Sequence, residues 1–188
     1  MTKQRSKTKE KISTELDLPD DASVHLNGSN LIAKGPKGEV KKDIKKYNIS
    51  VKVDSKKIIF ESGKATKENK KMLGTLTAQV KNMLKGVMQN HTYILKICSG
   101  HFPMNVSTDG NKLSVKNFLG EKVPRVLELK EGATVKVESP LIYVISSNKE
   151  IAGQVSADIE QLTRRPGFDT RIFQDGIYII NKDGKELK

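Results

Sequence analysis

The chain has 188 residues and a formal net charge of +12, with 34 Lys and Arg against 22 Asp and Glu and a pI near 9.6. Such an excess points to a polyanionic partner, either nucleic acid or an anionic membrane surface. No membrane partner is expected: no apolar run exceeds the five residues LIYVI at 141–145, and neither helical pattern opposes a basic face to a strongly apolar one with aromatic anchors. There is no Trp and no apolar leader at the N-terminus. The single cysteine, Cys98, cannot form an intramolecular disulfide and reads as a small buried strand residue. A cytoplasmic protein is expected.

Residues 1–11 carry Lys3, Arg5, Lys7, Lys9 and Lys11 against Glu10, with no apolar period. They read as a basic arm that orders only on an anionic partner. A first domain follows over 12–88. Its segment 24–39, VHLNGSNLIAKGPKGE, has the pattern of a β-hairpin: a strand, a tight Asn-Gly turn, a second strand and a glycine-containing basic loop. Gly35-Pro36-Lys37-Gly38 is turn chemistry first. Lys34 and Lys37 add ammonium groups suited to phosphate oxygens, which makes them secondary candidates for RNA contact with Lys3, Arg5 and Lys7. VKVDS at 51–55 and the apolar run 58–60 predict a second hairpin. Met72, Leu73, Leu76, Val80 and Met83 then form one stripe on a helix predicted over 66–85, with Gly86 just past its end.

A second domain, 89–188, repeats this plan. Residues 93–98 alternate as a strand, and 99–104 interrupt with a breaker. At a constant offset of 82, Val106, Gly110, Leu113, Lys116, Gly120 and Glu121 match Val24, Gly28, Leu31, Lys34, Gly38 and Glu39, six identities in sixteen positions. VKVES at 135–139 repeats VKVDS at offset 84, followed by the apolar run 141–145. A helix is predicted over 148–162 with Asn148 as N-cap. Its stripe Ile151, Ala152, Val155, Ile159 and Leu162 matches the first stripe at offset 79. Gly74 and Gly153 share one register, which suggests close helix–sheet approach. A period near eighty residues suits a small domain rather than a solenoid unit. The fold class is therefore α+β: two similar domains from an internal duplication, each an antiparallel sheet with a packed α-helix. Beyond the second helix lies a tail with Arg164, Arg165 and Arg171 in a Pro-Gly-containing loop, a last strand and a short basic end.

The chemistry of catalysis is missing. His25, His91 and His101 stand far apart with no ligand spacing around them, and no HExxH, P-loop, dinucleotide fingerprint or nucleophile elbow occurs. No catalytic residue, metal site or cofactor is expected. Aromatic residues are scarce, so stacking on single-stranded bases is not expected either. Recognition of structured nucleic acid through phosphate and shape is what remains. Sheet and helix of one small domain can bring Lys116, Lys122 and Arg125 to the same side as Arg164, Arg165 and Arg171.

Several longer motifs carry a resemblance. KGPKGE (34–39), KNMLKGV (81–87), HFPMNV (101–106), NFLGEKVPR (117–125), GQVSA (153–157) and FQDGIYI (173–179) resemble, in order, a large-subunit ribosomal protein of the universal L-six family in its archaeal and eukaryotic form. The resemblance covers about 16–182 and implies a duplicated two-domain fold without enzymatic activity. It implies binding to large-subunit rRNA near the base of the lateral stalk and the elongation-factor site. The second domain would grip the rRNA helix leading to the sarcin–ricin loop. Carried onto this chain, the candidate rRNA-binding residues are Lys116, Lys122, Arg125, Arg164, Arg165, Arg171 and Lys182. The tail departs from the family pattern at Arg165-Pro166-Gly167-Phe168 and at Thr170. Neighbouring large-subunit proteins near the stalk base are the implied protein partners, with no homo-oligomer. A free-standing RNA-binding regulator or chaperone is the rival reading.

Overall fold

Strands form where apolar residues recur at every second position, and the two long 3.6-residue stripes become helices. The computed structural model describes residues 11–187 apart from Asp20, Asn48, Ser55, His101 and Thr170. The basic arm with Lys3, Arg5 and Lys7 lies outside the described residues. The chain divides into two compact units between Met88 and Gln89.

The first unit runs β1 (Ile12–Asp17), β2 (Ser23–Asn27), β3 (Asn30–Gly35), β4 (Gly38–Asp43), a 3-10 turn at Lys45–Tyr47, β5 (Ser50–Val53), β6 (Lys57–Ser62) and α1 (Lys67–Met88). Its strands form two antiparallel sheets, ordered β2-β3-β4 and β1-β6-β5, rather than one. The β2–β3 hairpin closes between Asn27 and Asn30, and Gly28 takes the positive φ of 62° that the tight turn demands. Leu31, Ala33, Ile58 and Phe60 from the sheets pack in one core with Leu73, Leu76, Val80, Leu84 and Val87 of α1.

The second unit runs β7 (His91–Cys98), β8 (Asn105–Asp109), β9 (Lys112–Lys116), a 3-10 turn at Phe118–Gly120, β10 (Arg125–Glu128), β11 (Thr134–Glu138), β12 (Leu141–Ser146), α2 (Lys149–Leu162), β13 (Gly176–Lys182) and β14 (Lys185–Glu186). The antiparallel orders are β10-β9-β8 and β11-β12-β7-β13-β14. The duplication holds in plan: Leu16 opposes Ile58 as Leu95 opposes Ile142, and each helix follows the equivalent strand. One element breaks the symmetry. β13 lies against the outer edge of β7, whereas among the described residues no strand lies beyond β1. Ile12, Thr14 and Leu16 are accordingly half-buried, while their counterparts His91, Tyr93 and Leu95 are buried. His91 Nδ1 sits 3.0 Å from Asp183 Oδ2, and the Asp183 amide donates to the Thr92 carbonyl, which pins the β13–β14 turn to β7.

Several expectations need correction. Met72 leads the first stripe but is 37% exposed, because the buried face turns instead toward Leu84, Gly86 and Val87 at the other end. α1 thus continues to Met88, and Gly86 is a buried helical residue rather than a terminator. Cys98 is only partly buried. Gly74 is exposed, with nothing within 4 Å of a Cβ, and a Cβ on Gly153 would meet Tyr93 at an ordinary 3.6 Å. The paired glycines therefore mark no close approach. Close approach occurs at Gly35, where a Cβ would stand 2.7 Å from the Val87 carbonyl oxygen. The Lys37 amide donates to that same oxygen at 2.9 Å, satisfying a carbonyl left over at the end of α1. The GPKG turn is the seat of the helix terminus. No helix among the described residues is long and apolar enough to cross a membrane.

Leu76 and Ile159 are fully buried, so Leu76→Ala or Ile159→Ala is expected to cost about 2–5 kcal/mol in denaturant unfolding. An unchanged midpoint would remove the helix from the core.

Gly74→Ala should stabilise the chain by up to about 1 kcal/mol, since it replaces an exposed helical glycine in open space. Gly35→Ala should destabilise it, because the obstructing atom is backbone. Thermal melts of the two variants that moved in the same direction would contradict this assignment.

Candidate nucleic-acid interface

The connection between β9 and β10 holds most of the positive-φ residues of the second unit outside hairpin turns. Asn117 (61°), Leu119 (48°) and Gly120 (76°) coil the chain tightly after Lys116. For non-glycine residues such backbone costs roughly a kcal/mol or more and persists only where the surroundings fix it. Here Phe118, 1% exposed, anchors the coil in the core, and Asn117 Nδ2 donates to the Pro103 carbonyl at 3.1 Å. Lys122, Val123 and Pro124 form the exposed tip before the chain returns as β10.

Arg125 opens β10 and turns inward. Its Nε and Nη2 donate to both oxygens of Glu121 at 2.8 and 2.7 Å. Nη1 donates to the Leu162 carbonyl at 2.7 Å and, at 3.4 Å, to that of Arg164. The guanidinium carbon lies 4.4 Å from the ring centroid of Phe118. One cation thus ties the β9–β10 loop to the C-terminus of α2, where a positive charge complements the helix dipole. The Arg125 hydrogen bonds, more than the nearby charges, hold the Glu121 carboxyl below the usual carboxylate range, against a smaller upward push from burial.

The tail begins from this clamp. Arg165 Nη1 is 3.8 Å from Glu121 Oε1, and its guanidinium lies 4.3 Å from the centroid of the Phe168 ring. Phe168 meets Phe173 edge to face at 4.9 Å. Asp169 accepts a forked pair of bonds from Arg171 at 2.8 and 3.1 Å, and those bonds hold its pKa down, although the arginine side chain is 89% exposed. Thr163 Oγ1 accepts from the Ile177 amide at 2.9 Å, and Glu160 Oε1 from the Ile179 amide at 3.1 Å, so the start of β13 is fastened to the end of α2.

The structure brings Arg125, Arg164 and Arg165 together, with Lys116 and Lys122 on the loop that Arg125 clamps. Lys116, Lys122 and Arg164 are exposed and have no ion-pair partner among the described residues. Lys182 stands apart, four residues past Tyr178 and so about 13 Å along β13. In the first unit Lys34 and Lys41 share Glu39 at 3.3 and 3.2 Å, while Lys37 is exposed at the turn. Thr170 and His101 lie outside the described residues. Pattern reading missed the rings: Phe118, Phe168, Phe173 and Tyr178 converge on one cleft with Arg164 and Arg165. They lie far apart in sequence, and nothing local signals that they meet. Among the described residues no three His, Cys, Asp or Glu groups are placed to hold a metal ion.

Comparison with known proteins places these segments. A family model described as ribosomal protein L6 matches residues 18–90 and 102–176, one stretch in each unit. Three archaeal relatives are each called large ribosomal subunit protein uL6. That of Methanococcus vannielii is 43% identical over 176 residues, covering 94% of this chain and 97% of its own length. That of Methanothrix thermoacetophila is 38% identical over 173 residues, 92% of this chain and 98% of its own. That of Methanosarcina mazei is 39% identical over 171 residues, 91% and 97% respectively.

Arg125→Ala should cost about 2–3 kcal/mol, because it removes charge-assisted bonds and leaves the Leu162 carbonyl unpaired. Since the folded pKa of Glu121 is depressed, the pair's stabilisation is complete above the ordinary carboxylate range and is lost as pH falls through the folded pKa. The gap between wild type and variant should therefore narrow as pH falls, leaving the part owed to the Leu162 and Arg164 carbonyl bonds and to packing on Phe118. A gap that did not narrow would assign the whole loss to those contacts rather than to the Glu121 pair.

Proposed function

The chain belongs to the ribosomal protein L6 family, and we propose that it binds large-subunit rRNA through its second unit, as a structural constituent of the large ribosomal subunit in the cytoplasm. Its role is architectural, not catalytic. The observation that carries the reading is the clamp at Arg125. It fixes two irregular basic segments side by side and leaves Lys116, Lys122 and Arg164 exposed without acidic partners among the described residues. Cations on a rigid, irregular backbone suit a phosphate chain, whose contacts position a protein without reading sequence. Arg125 is assigned a positioning role, since its donors are engaged within the protein. Arg165 shares that role in part. Arg171 can reach phosphate only by leaving Asp169, and Lys182 would touch RNA at a separate point. Lys34, Lys37 and the arm residues Lys3, Arg5 and Lys7 are secondary contacts in this proposal.

The finer location is part of the same proposal. It puts the chain near the stalk base and elongation-factor site, with the second unit on the rRNA helix leading to the sarcin–ricin loop and with other large-subunit proteins as neighbours. The segments 102–106 and 117–125, both within the stretch that the family model matches, support it, since 117–125 forms the clamped loop and the Pro103 carbonyl accepts from Asn117. Co-sedimentation with the large subunit through a high-salt wash separates this from a free RNA-binding regulator, which would be stripped.

Binding to the matching rRNA fragment, measured against salt, ranks the basic residues. Neutralising Lys116, Lys122 and Arg164 should lower the log–log slope by about 0.7–0.9 for every phosphate that is no longer paired with a cation. Neutralising Lys34, Lys37 and Lys41 should change it less. The reverse ranking would move the main anchor to the first unit.

A further inference from the structure

The sequence holds five Phe, four Tyr and no Trp, too few for an aromatic-rich RNA-binding strand. The fold nevertheless gathers Phe118, Phe168, Phe173 and Tyr178 around a single cleft of about 450 Å³ in the second unit. That size falls within the roughly 300–1,000 Å³ of small-molecule sites. The other hollows described, beside Lys56 and Lys57 and beside Ala22 and Gly35, have no aromatic lining.

We propose that this cleft takes one unpaired nucleobase swung out of the bound rRNA. The proposal rests on the rRNA-binding reading above and names the group recognised there. Two planar platforms are available. Tyr178 is 40% exposed on β13, and the Arg165 guanidinium carbon lies over the Phe168 ring, 4.3 Å from its centre. Bases stack on aromatic rings and on arginine planes alike. Each of the two carboxylates in the lining has one oxygen engaged by a backbone amide. Glu160 Oε1 accepts from the Ile179 amide, and Asp175 Oδ1 accepts from the Gly100 amide. Gln161, exposed at the rim, offers both a donor and an acceptor to a base edge. Arg164, also lining the cleft, stands where the flanking phosphate of an extruded nucleotide would lie. A neighbouring protein's apolar side chain is the competing occupant, but the cationic rim favours a nucleotide.

The test crosses protein and RNA changes. The full chain is titrated with a large-subunit rRNA fragment in which each unpaired nucleotide in turn is made abasic. One abasic position is expected to weaken wild-type binding by about 5- to 100-fold. Tyr178→Leu should weaken binding to intact RNA by a similar factor at unchanged salt slope, because stacking releases no counterions. The Tyr178→Leu protein should then be indifferent to that abasic position, while Tyr178→Phe behaves as wild type. Should Tyr178→Leu fail to fold, Gln161→Ala reads the same coupling from the exposed rim. If Tyr178→Leu binds as wild type, or if every abasic position acts equally on wild type and variant, no base enters the cleft. A wild-type chain that fails to bind the fragment at all overturns the rRNA-binding reading itself.

Discussion

The guanidinium of Arg125 joins three pieces of the second unit: the β9–β10 loop, the end of α2 and the start of the tail. Its fork takes both oxygens of Glu121, and its remaining donors reach the Leu162 and Arg164 carbonyls. Both side chains are only about a quarter exposed, at 23% and 27%, so the pair is less screened than a surface ion pair. The left-handed coil at Asn117 and Leu119 persists because its far end is held in this way. The direction in which Arg164 leaves the helix follows from the same contact. Loop and tail become one surface through a side chain that never needs to touch a ligand.

The second constraint is β13, a strand with no counterpart in the first unit among the described residues. β13 closes the outer edge of β7, adds Ile177 to the core and is fastened by His91–Asp183 at one end and Thr163–Ile177 at the other. β1, the counterpart of β7 in the first unit, keeps half-buried apolar residues. The tail is therefore a structural part of the second unit. It carries Arg164, Arg165 and Phe168 past the helix on its way to a fixed strand, which explains why an irregular segment can hold a defined cleft.

The duplication was legible because it is periodic: matched turn glycines, matched strands and matched helical stripes survive in sequence. Asn148 was legible as a cap because capping is local chemistry, and its Oδ1 does accept from the Glu150 amide. Boundaries and long-range roles were not. Gly86 looks like a helix terminator, but Val87 continues the buried face and the Lys37 amide meets the end of the helix. Arg125 looks like one more cation in a basic loop, and only the fold supplies Glu121 and the α2 carbonyls around it. The rings of the cleft come from residues 118, 168, 173 and 178, a spacing no periodicity joins. Site features built from separated segments are invisible to pattern, whereas repeats and caps are not.

Strand pairing also decides where the positive charge is free. Where strands face each other, lysines find carboxylates: Lys34 with Glu39 across β3–β4, Lys52 with Glu61 across β5–β6, Lys112 with Glu128 across β9–β10. Such exposed pairs add little stability, but each neutralises a cation locally. Irregular segments have no facing strand to supply a carboxylate, so Lys122 and Arg164 keep their field, and Lys116, the last residue of β9, faces Asn105 of β8 rather than a carboxylate. Arg171 is the instructive exception, because Asp169 lies two residues away and takes its fork. Moving Arg171 to a phosphate would leave an ionised Asp169 beside the same anion. Its net gain must therefore be smaller than that of Arg164, which gives up no partner. Exposure alone would rank Arg171 high, and the carboxylate beside it reverses that order.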